Sequence, residues 1–375
     1  MSSSKDSTPD PAPRTPLRRR RGTRVAALGT AAVAVLAGGT FWLSGGYDAW
    51  QNDRALDRAC DGDLAADAAR RLLGGVELTA SGGLDQDGWN CAVTAADETR
   101  DGDAEVTVRI RSADEPFDAA GPVDQGEAAV PLGGRWTGSF TYGGGVTGAV
   151  DATRTDRARV VLLLDCGEES GDGLLAWADG RLEKGDFRDA DARVRLAGTL
   201  TETTLSYARR TGCEPRGGDP LTKVAAPVAD PEPKPLGEAS GTCGGVLDAA
   251  TARKWGAGTA LETPASGPMA VERCTLGSRL GAPLYAFTAS YGPYGASGLA
   301  APPQDVRPAA GGGKSPSPSG RYRMTAECPG SGGTAVYDVV PGEDLGQTVD
   351  HGSLKAALKR FADASAGRHG CRLPE

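Results

Sequence analysis

CDGDLAADAARRLLGG (residues 60–75) and CGGVLDAATARKWGAG (residues 243–258) start in the same way: a cysteine, a small polar turn, a leucine, an Ala-rich stretch with arginine, and a glycine stop. In the first stretch Leu64, Ala68 and Leu72, with Ala65 and Ala69, fall on one stripe at helical spacing, while Arg70 and Arg71 lie off it, so Asp63–Leu73 reads as a short amphipathic helix ended by Gly74-Gly75. Val246–Trp255 reads the same way in the second.

The cysteine spacings extend the match. Cys60 to Cys91 and Cys243 to Cys274 are both 31 residues apart, and Cys166–Cys213 (47) resembles Cys328–Cys371 (43). VLLLDC (161–166) parallels RMTAEC (323–328); Leu196 and Leu200 precede Cys213 by the distances at which Leu354 and Leu358 precede Cys371; both segments close on Gly-Cys. The expected architecture is therefore a tandem duplicated α+β domain, residues 60–215 and 242–375. Each copy is expected to be an antiparallel sheet in meander order, flanked by an N-terminal and a C-terminal helix and held by two disulfides. Four cysteines per copy allow three pairings; the two conserved separations favour Cys60–Cys91, Cys166–Cys213, Cys243–Cys274 and Cys328–Cys371.

Strands are read where apolar residues alternate, at Val106/Val108/Ile110 and Trp136/Phe140/Tyr142, the latter continuing through Gly143–Gly145 into a hairpin return at Val146–Val150. Arg159–Asp165 is apolar on both faces and reads as a central strand, Leu174–Ala178 as a short one, and Leu284–Tyr291, Tyr322–Cys328 and Thr334–Val340 as the strands of the second copy. Leu196–Arg209 and Leu354–Ala364 read as the closing helices. Between the copies, residues 216–241 form a linker; six prolines between Glu214 and Gly241 make the stretch extended and semi-stiff. Residues 301–320 read as a mobile loop.

The N-terminus carries a different message. Residues 1–24 hold seven basic and two acidic side chains, a basic tail without a domain, while the rest of the chain has a net charge of −13. An acidic body repels phosphate, which argues against nucleic-acid binding. RRRRGTR runs into the uncharged Val25–Leu43, long enough as a helix to cross a bilayer, with the arginines keeping the N-terminus cytoplasmic. Residues 25–43 read as a transmembrane signal-anchor and 44–59 as a helical stalk; cleavage as a signal peptide, giving a secreted protein, is the alternative. Both place all eight cysteines in an oxidising compartment.

A cysteine followed by a short helix and glycine stop, with a strand cysteine about 30 residues on, resembles the secreted α+β domains of uncharacterised actinobacterial envelope proteins. It is similar, more loosely, to the two-disulfide extracellular sensor domains of actinobacterial serine/threonine kinases. No kinase domain precedes the apolar segment and Cys60 lacks a lipobox, so a kinase-sensor role does not carry over, and the resemblance supplies no catalytic residues.

Chemistry is sparse. The only histidines are His351, near the start of the last helix, and His369, in a tail loop, and neither has a counterpart in the first copy. No Cys-x-x-Cys pair occurs, so neither metal nor cofactor is expected. Asp61/Asp63/Asp67, Asp85/Asp87, Asp97/Glu98/Asp101/Asp103 and Glu168/Glu169/Asp172 read as a solvated acidic surface. Tyr291 and Tyr294 are the candidate binding surface, because aromatics in a Gly-Pro turn suit sugars or partner chains. The expectation is a non-enzymatic, membrane-anchored extracytoplasmic binding or envelope-organising protein, with an envelope protein or glycan as partner. The alternatives are a cell-wall-acting hydrolase using acidic residues and a signalling or assembly subunit. A buried histidine or carboxylate pair in a polar cleft would count against a pure binder.

Overall fold

Each half of the chain builds a seven-stranded sheet. The computed structural model describes residues 54–74, 77–86, 88–95, 104–113, 126–143, 153–167, 173–300, 307–308, 321–342 and 350–373. The anchor (25–43), the basic tail, the hairpin return after Gly143, the acidic stretch 97–103 and most of 301–320 lie outside the described residues, as does most of the stalk, of which residues 54–58 are helical. No helix among the described residues is long and apolar enough to cross a membrane.

In the first half, α1 (Ala66–Leu73) precedes β1 (Leu78–Asp85), β2 (Gly88–Ala95) and β3 (Glu105–Ser112). Then follow β4 (Val130–Pro131), β5 (Thr137–Tyr142), β6 (Arg157–Leu164), β7 (Leu174–Arg181) and α2 (Ala190–Arg210). The sheet order is β1-β2-β3-β7-β6-β5-β4. This corrects the simple meander: β7 returns to lie between β3 and β6. The reason is burial, since β6 and β7 are buried on both faces and only central positions cover both. The second half has β8 (Lys234–Pro235), α3 (Ala249–Trp255), β9 (Ala257–Glu262), β10 (Val271–Ser278) and β11 (Pro283–Ser290). After these come α4 (Pro293–Ala300), β12 (Arg307–Pro308), β13 (Tyr322–Glu327), β14 (Thr334–Pro341) and α5 (His351–His369). Its order, β8-β9-β10-β11-β14-β13-β12, repeats the arrangement, with β14 in the place of β7. All neighbours are antiparallel except the pair β12–β13.

The register matches as well. Across the first sheet Cys91 lies opposite Val108, Val108 opposite Ala178 and Ala178 opposite Val160. Across the second, Cys274 lies opposite Phe287, Phe287 opposite Val339 and Val339 opposite Tyr322. Four disulfides join Cys60–Cys91, Cys166–Cys213, Cys243–Cys274 and Cys328–Cys371. In each half one bridge ties the entry segment to the second long strand and the other ties a strand end to the chain just past the closing helix.

Helix boundaries move for identifiable reasons. α1 begins at Ala66 rather than Asp63, because Cys60 and Asp61 adopt left-handed φ (55° and 61°) and Asp63 turns inward to the Arg210 guanidinium. α2 starts six residues before Leu196, where Asp189 caps it by accepting from the Asp191 amide. α5 runs on to His369 and stops at Gly370 in the left-handed conformation (φ 67°), so His369 is the last helical residue and not part of a tail loop.

The inner face of each sheet packs on its closing helix: Val108, Ile110, Val160 and Leu162 against Leu196 and Leu200, and Phe287, Tyr322 and Val339 against Leu354, Leu358 and Phe361. The outer faces differ. Val161, Leu163, Leu175 and Trp177 point away from α2 and join the apolar cluster of the second half. At the positions matching Val161 and Trp177 the second sheet carries Arg323 and Asp338, paired at 2.7 Å, and Arg323 also donates to the Gly298 carbonyl of α4. The first sheet's outer face also holds a buried ion pair, Arg159 with Asp179 at 2.7 Å, so the two outer faces differ at matching positions: apolar Val161 and Trp177 in one, the Arg323–Asp338 pair under α4 in the other.

Residues 54–375 form one compact unit. Gly138 N donates to Pro268 O (3.1 Å), and Thr275 Oγ1 donates to Glu127 Oε1 (2.9 Å). The Pro-rich stretch 216–241 is a docked strap. Trp136 Nε1 donates to Asp219 O, Arg193 Nε donates to Val224 O, and Lys234–Pro235 then adds an edge strand to the second sheet. Glu262 anchors its far end, accepting from the amides of Ser240, Gly241 and Cys243.

The junction is tight. A Cβ at Gly173 would stand 2.2 Å from Ser331 Cβ and 2.3 Å from Leu164 O. Gly173→Ala must push the halves apart and is expected to destabilise by about 3 kcal/mol, read as a lower urea midpoint. An unchanged midpoint would mean the halves do not meet there.

Candidate functional site

The polar chemistry of the molecule concentrates where the two halves meet. In each half the residue before the third cysteine forms a backbone bridge with an arginine just past the last cysteine: Asp165 with Arg216, and Glu327 with Arg372. Around the first of these bridges lies a cavity of about 190 Å³. The first half contributes Thr137, Asp165 and Arg216 to its lining, and the second half Ser331 and His369. Arg135 also reaches it but is engaged with Asp219 through two hydrogen bonds, Nη2 to Oδ1 at 2.8 Å and Nε to Oδ2 at 3.3 Å.

His369 is held from behind. Its side chain is 5% exposed, its Nε2 lies 3.1 Å from Glu272 Oε1, and its ring stacks on Tyr291 with centroids 3.5 Å apart. Glu272, on β10, is buried and also accepts from Ser365 Oγ (2.7 Å) and from Nε and Nη2 of Arg368. Burial alone would raise the Glu272 carboxyl, but the hydrogen bonds from His369 and Arg368 and the Arg368 charge outweigh it, and the group lies below the ordinary glutamate value.

The hydrogen-bond order follows from donor counting. Ser365 spends its one hydrogen on Glu272, so Tyr291 donates to Ser365 (2.5 Å), and Tyr337 donates to Tyr291 (3.4 Å). Burial pushes the Tyr291 phenol well above its usual range and that of Tyr337 up to about 12, so both stay neutral donors. With an ionised Glu272 facing it, Nε2 of His369 carries a proton.

This cluster belongs to the second half alone. Trp89 stands two residues before Cys91, as Glu272 does before Cys274, and Tyr207 stands six before Cys213, as Ser365 does before Cys371. There the two positions form an apolar contact, Trp89 with Tyr207 at 5.9 Å, and Thr211 takes the place of His369. Comparing the two Cys-framed segments position by position would have marked Glu272 and His369 among the places where the halves diverge in charge.

Of the residues singled out from sequence, Tyr291 is fully buried, its ring serving as the platform for His369, so it offers no exposed face to a partner. Tyr294 is half-buried and packs against the second core. His351 opens α5, with its Nδ1 2.6 Å from the Tyr322 hydroxyl. Asp63 is buried on Arg210, not part of the solvated acidic surface. Among the described residues no group of three or more His, Cys, Asp or Glu could hold a metal ion. Compared with family models, curated proteins and solved structures, the chain matches none.

Proposed function

We infer that the protein is a non-enzymatic, exported binding protein, tethered to the membrane by residues 25–43, in which two copies of one stapled module pack into a single body with the ligand site at their junction. The observation that carries this reading is the junction cavity, lined from both halves and backed by a buried, hydrogen-bonded support for His369. Copying a module and then diverging its inner surface is an economical route to such a site, since neither half supplies both sides of the cavity. The four disulfides and the acidic, Gly-rich body accord with life outside the cell.

A thermal-shift screen of the full-length protein against sugars, amino acids and short peptides tests it. A ligand at about 100 times its Kd adds about 2.7 kcal/mol, a Tm rise of several degrees. The rise is expected to disappear when Ser331→Trp fills the cavity. If no compound raises Tm, or if the filled variant responds like the parent, the junction is not a ligand site.

A second reading has its own support, and the buried His369 in a polar cavity counts against a pure binder: an acid-oriented imidazole and a largely buried hydroxyl, Ser331 at 9% exposure, line one cavity, as in serine hydrolases. Labelling of Ser331 by a fluorophosphonate probe would favour that enzyme. A glycosidase working through paired carboxylates finds less support, because Asp165 is the one carboxylate lining this cavity.

A further inference from the structure

The geometry points to a small zwitterion, an amino acid or dipeptide, as the occupant of the junction cavity, with Arg216 on its carboxylate and Asp165 on its ammonium; this rests on reading the junction as a ligand site. Asp165 and Arg216 are direct neighbours across a backbone bridge, with Arg216 N donating to Asp165 O at 2.8 Å. Opposite charges so placed ordinarily close on each other, yet no ion pair joins these two side chains, and both line the cavity.

Asp165 is held where it is. Its Oδ1 accepts from Gly167 N at 2.8 Å, and the second half presses on it from the other side, since a Cβ at Gly330 would fall 2.3 Å from the carboxylate. An anion would meet Asp165, and a cation would meet Arg216. A neutral ligand could hydrogen-bond to both charges but would neutralise neither. Only a ligand carrying both signs satisfies the pair.

The remaining lining fits the same division. The Ser331 and Thr137 hydroxyls, on the lining beside Arg216 and Asp165, can donate to a carboxylate. At about 190 Å³ the cavity is smaller than the roughly 300–1,000 Å³ of sites for drug-sized molecules, which limits the ligand to about one or two residues.

Calorimetric titration of the full-length protein with glycine, L-alanine, D-alanine and D-alanyl-D-alanine, with acetate and methylammonium as single-charge controls, tests the assignment. At least one zwitterion is expected to bind at least about tenfold tighter than either control, a difference of about 1.4 kcal/mol. Arg216→Gln, at an exposed position, and Asp165→Asn, an isosteric change at a half-buried one, are each expected to weaken it at least about tenfold with Tm changed little. If acetate binds as well as the amino acids and Asp165→Asn tightens it, the site is an anion site; the zwitterion is then wrong, while the junction remains a ligand site. If none of the four zwitterions binds but another compound does so at the junction, the zwitterion is likewise wrong. If nothing binds there, both readings fall.

Discussion

Reduction of the four disulfides is expected to unfold residues 54–375 at 37 °C. The bridges close loops of 31, 47, 31 and 43 residues. On the chain-entropy account each stabilises by about 4 kcal/mol, and together they reach about 15 kcal/mol, the top of the range for the whole net stability of a domain. The cores have little to set against that loss. Each half is glycine-rich, and the short helices α1 and α3 are joined to their sheets by the entry bridges, so reduction removes the tie that holds them there. Far-UV circular dichroism with and without a phosphine reductant measures it, and a folded, cooperative melt in the reduced protein above about 50 °C would refute it. Replacing Cys328 and Cys371 together by serine isolates one bridge; it also loosens the Ser331 segment against His369, so a lower Tm should come with weaker ligand binding at the junction.

Glu272→Gln is expected to cost about 3–5 kcal/mol, because it leaves the Arg368 guanidinium, 19% exposed, without its anion and converts an acceptor of four side-chain hydrogen bonds into a poorer one. The same residue gives the protein an acid-labile term. Its folded value lies below the ordinary 4.5, so the stability it contributes is fully present above that value and is lost as pH falls through the lower, folded one. Asp350, held down by Lys254 and Ser353 at the start of α5, acts in the same direction from a more exposed position. Tm should therefore drop between pH 5 and pH 3, and the drop should be smaller in Glu272→Gln. Equal drops would mean that Glu272 does not carry the acid sensitivity.

Sequence alone determined the parts whose cause is local or repeated. The cysteine pairs follow from two conserved separations, and the strands read at Val106–Ile110, Arg159–Asp165 and Tyr322–Cys328 follow from apolar spacing, each within two residues of the observed strand ends. β1 escaped this reading because LTASGGLD has almost no apolar alternation; it is an edge strand with solvent on most of its length. The candidate site lay beyond such reasoning for a different reason. Glu272 and His369 are 97 residues apart, and Asp165 meets Gly330 across the two halves, so no spacing in the chain announces either contact. The doubly apolar β6 announced that its outer face needed cover, but not what would cover it. Packing decided that: once the second half seats on Val161, Leu163 and Trp177, the loops beside the second pair of disulfides are brought face to face, and their polar groups, unable to close on one another, leave a cavity between them.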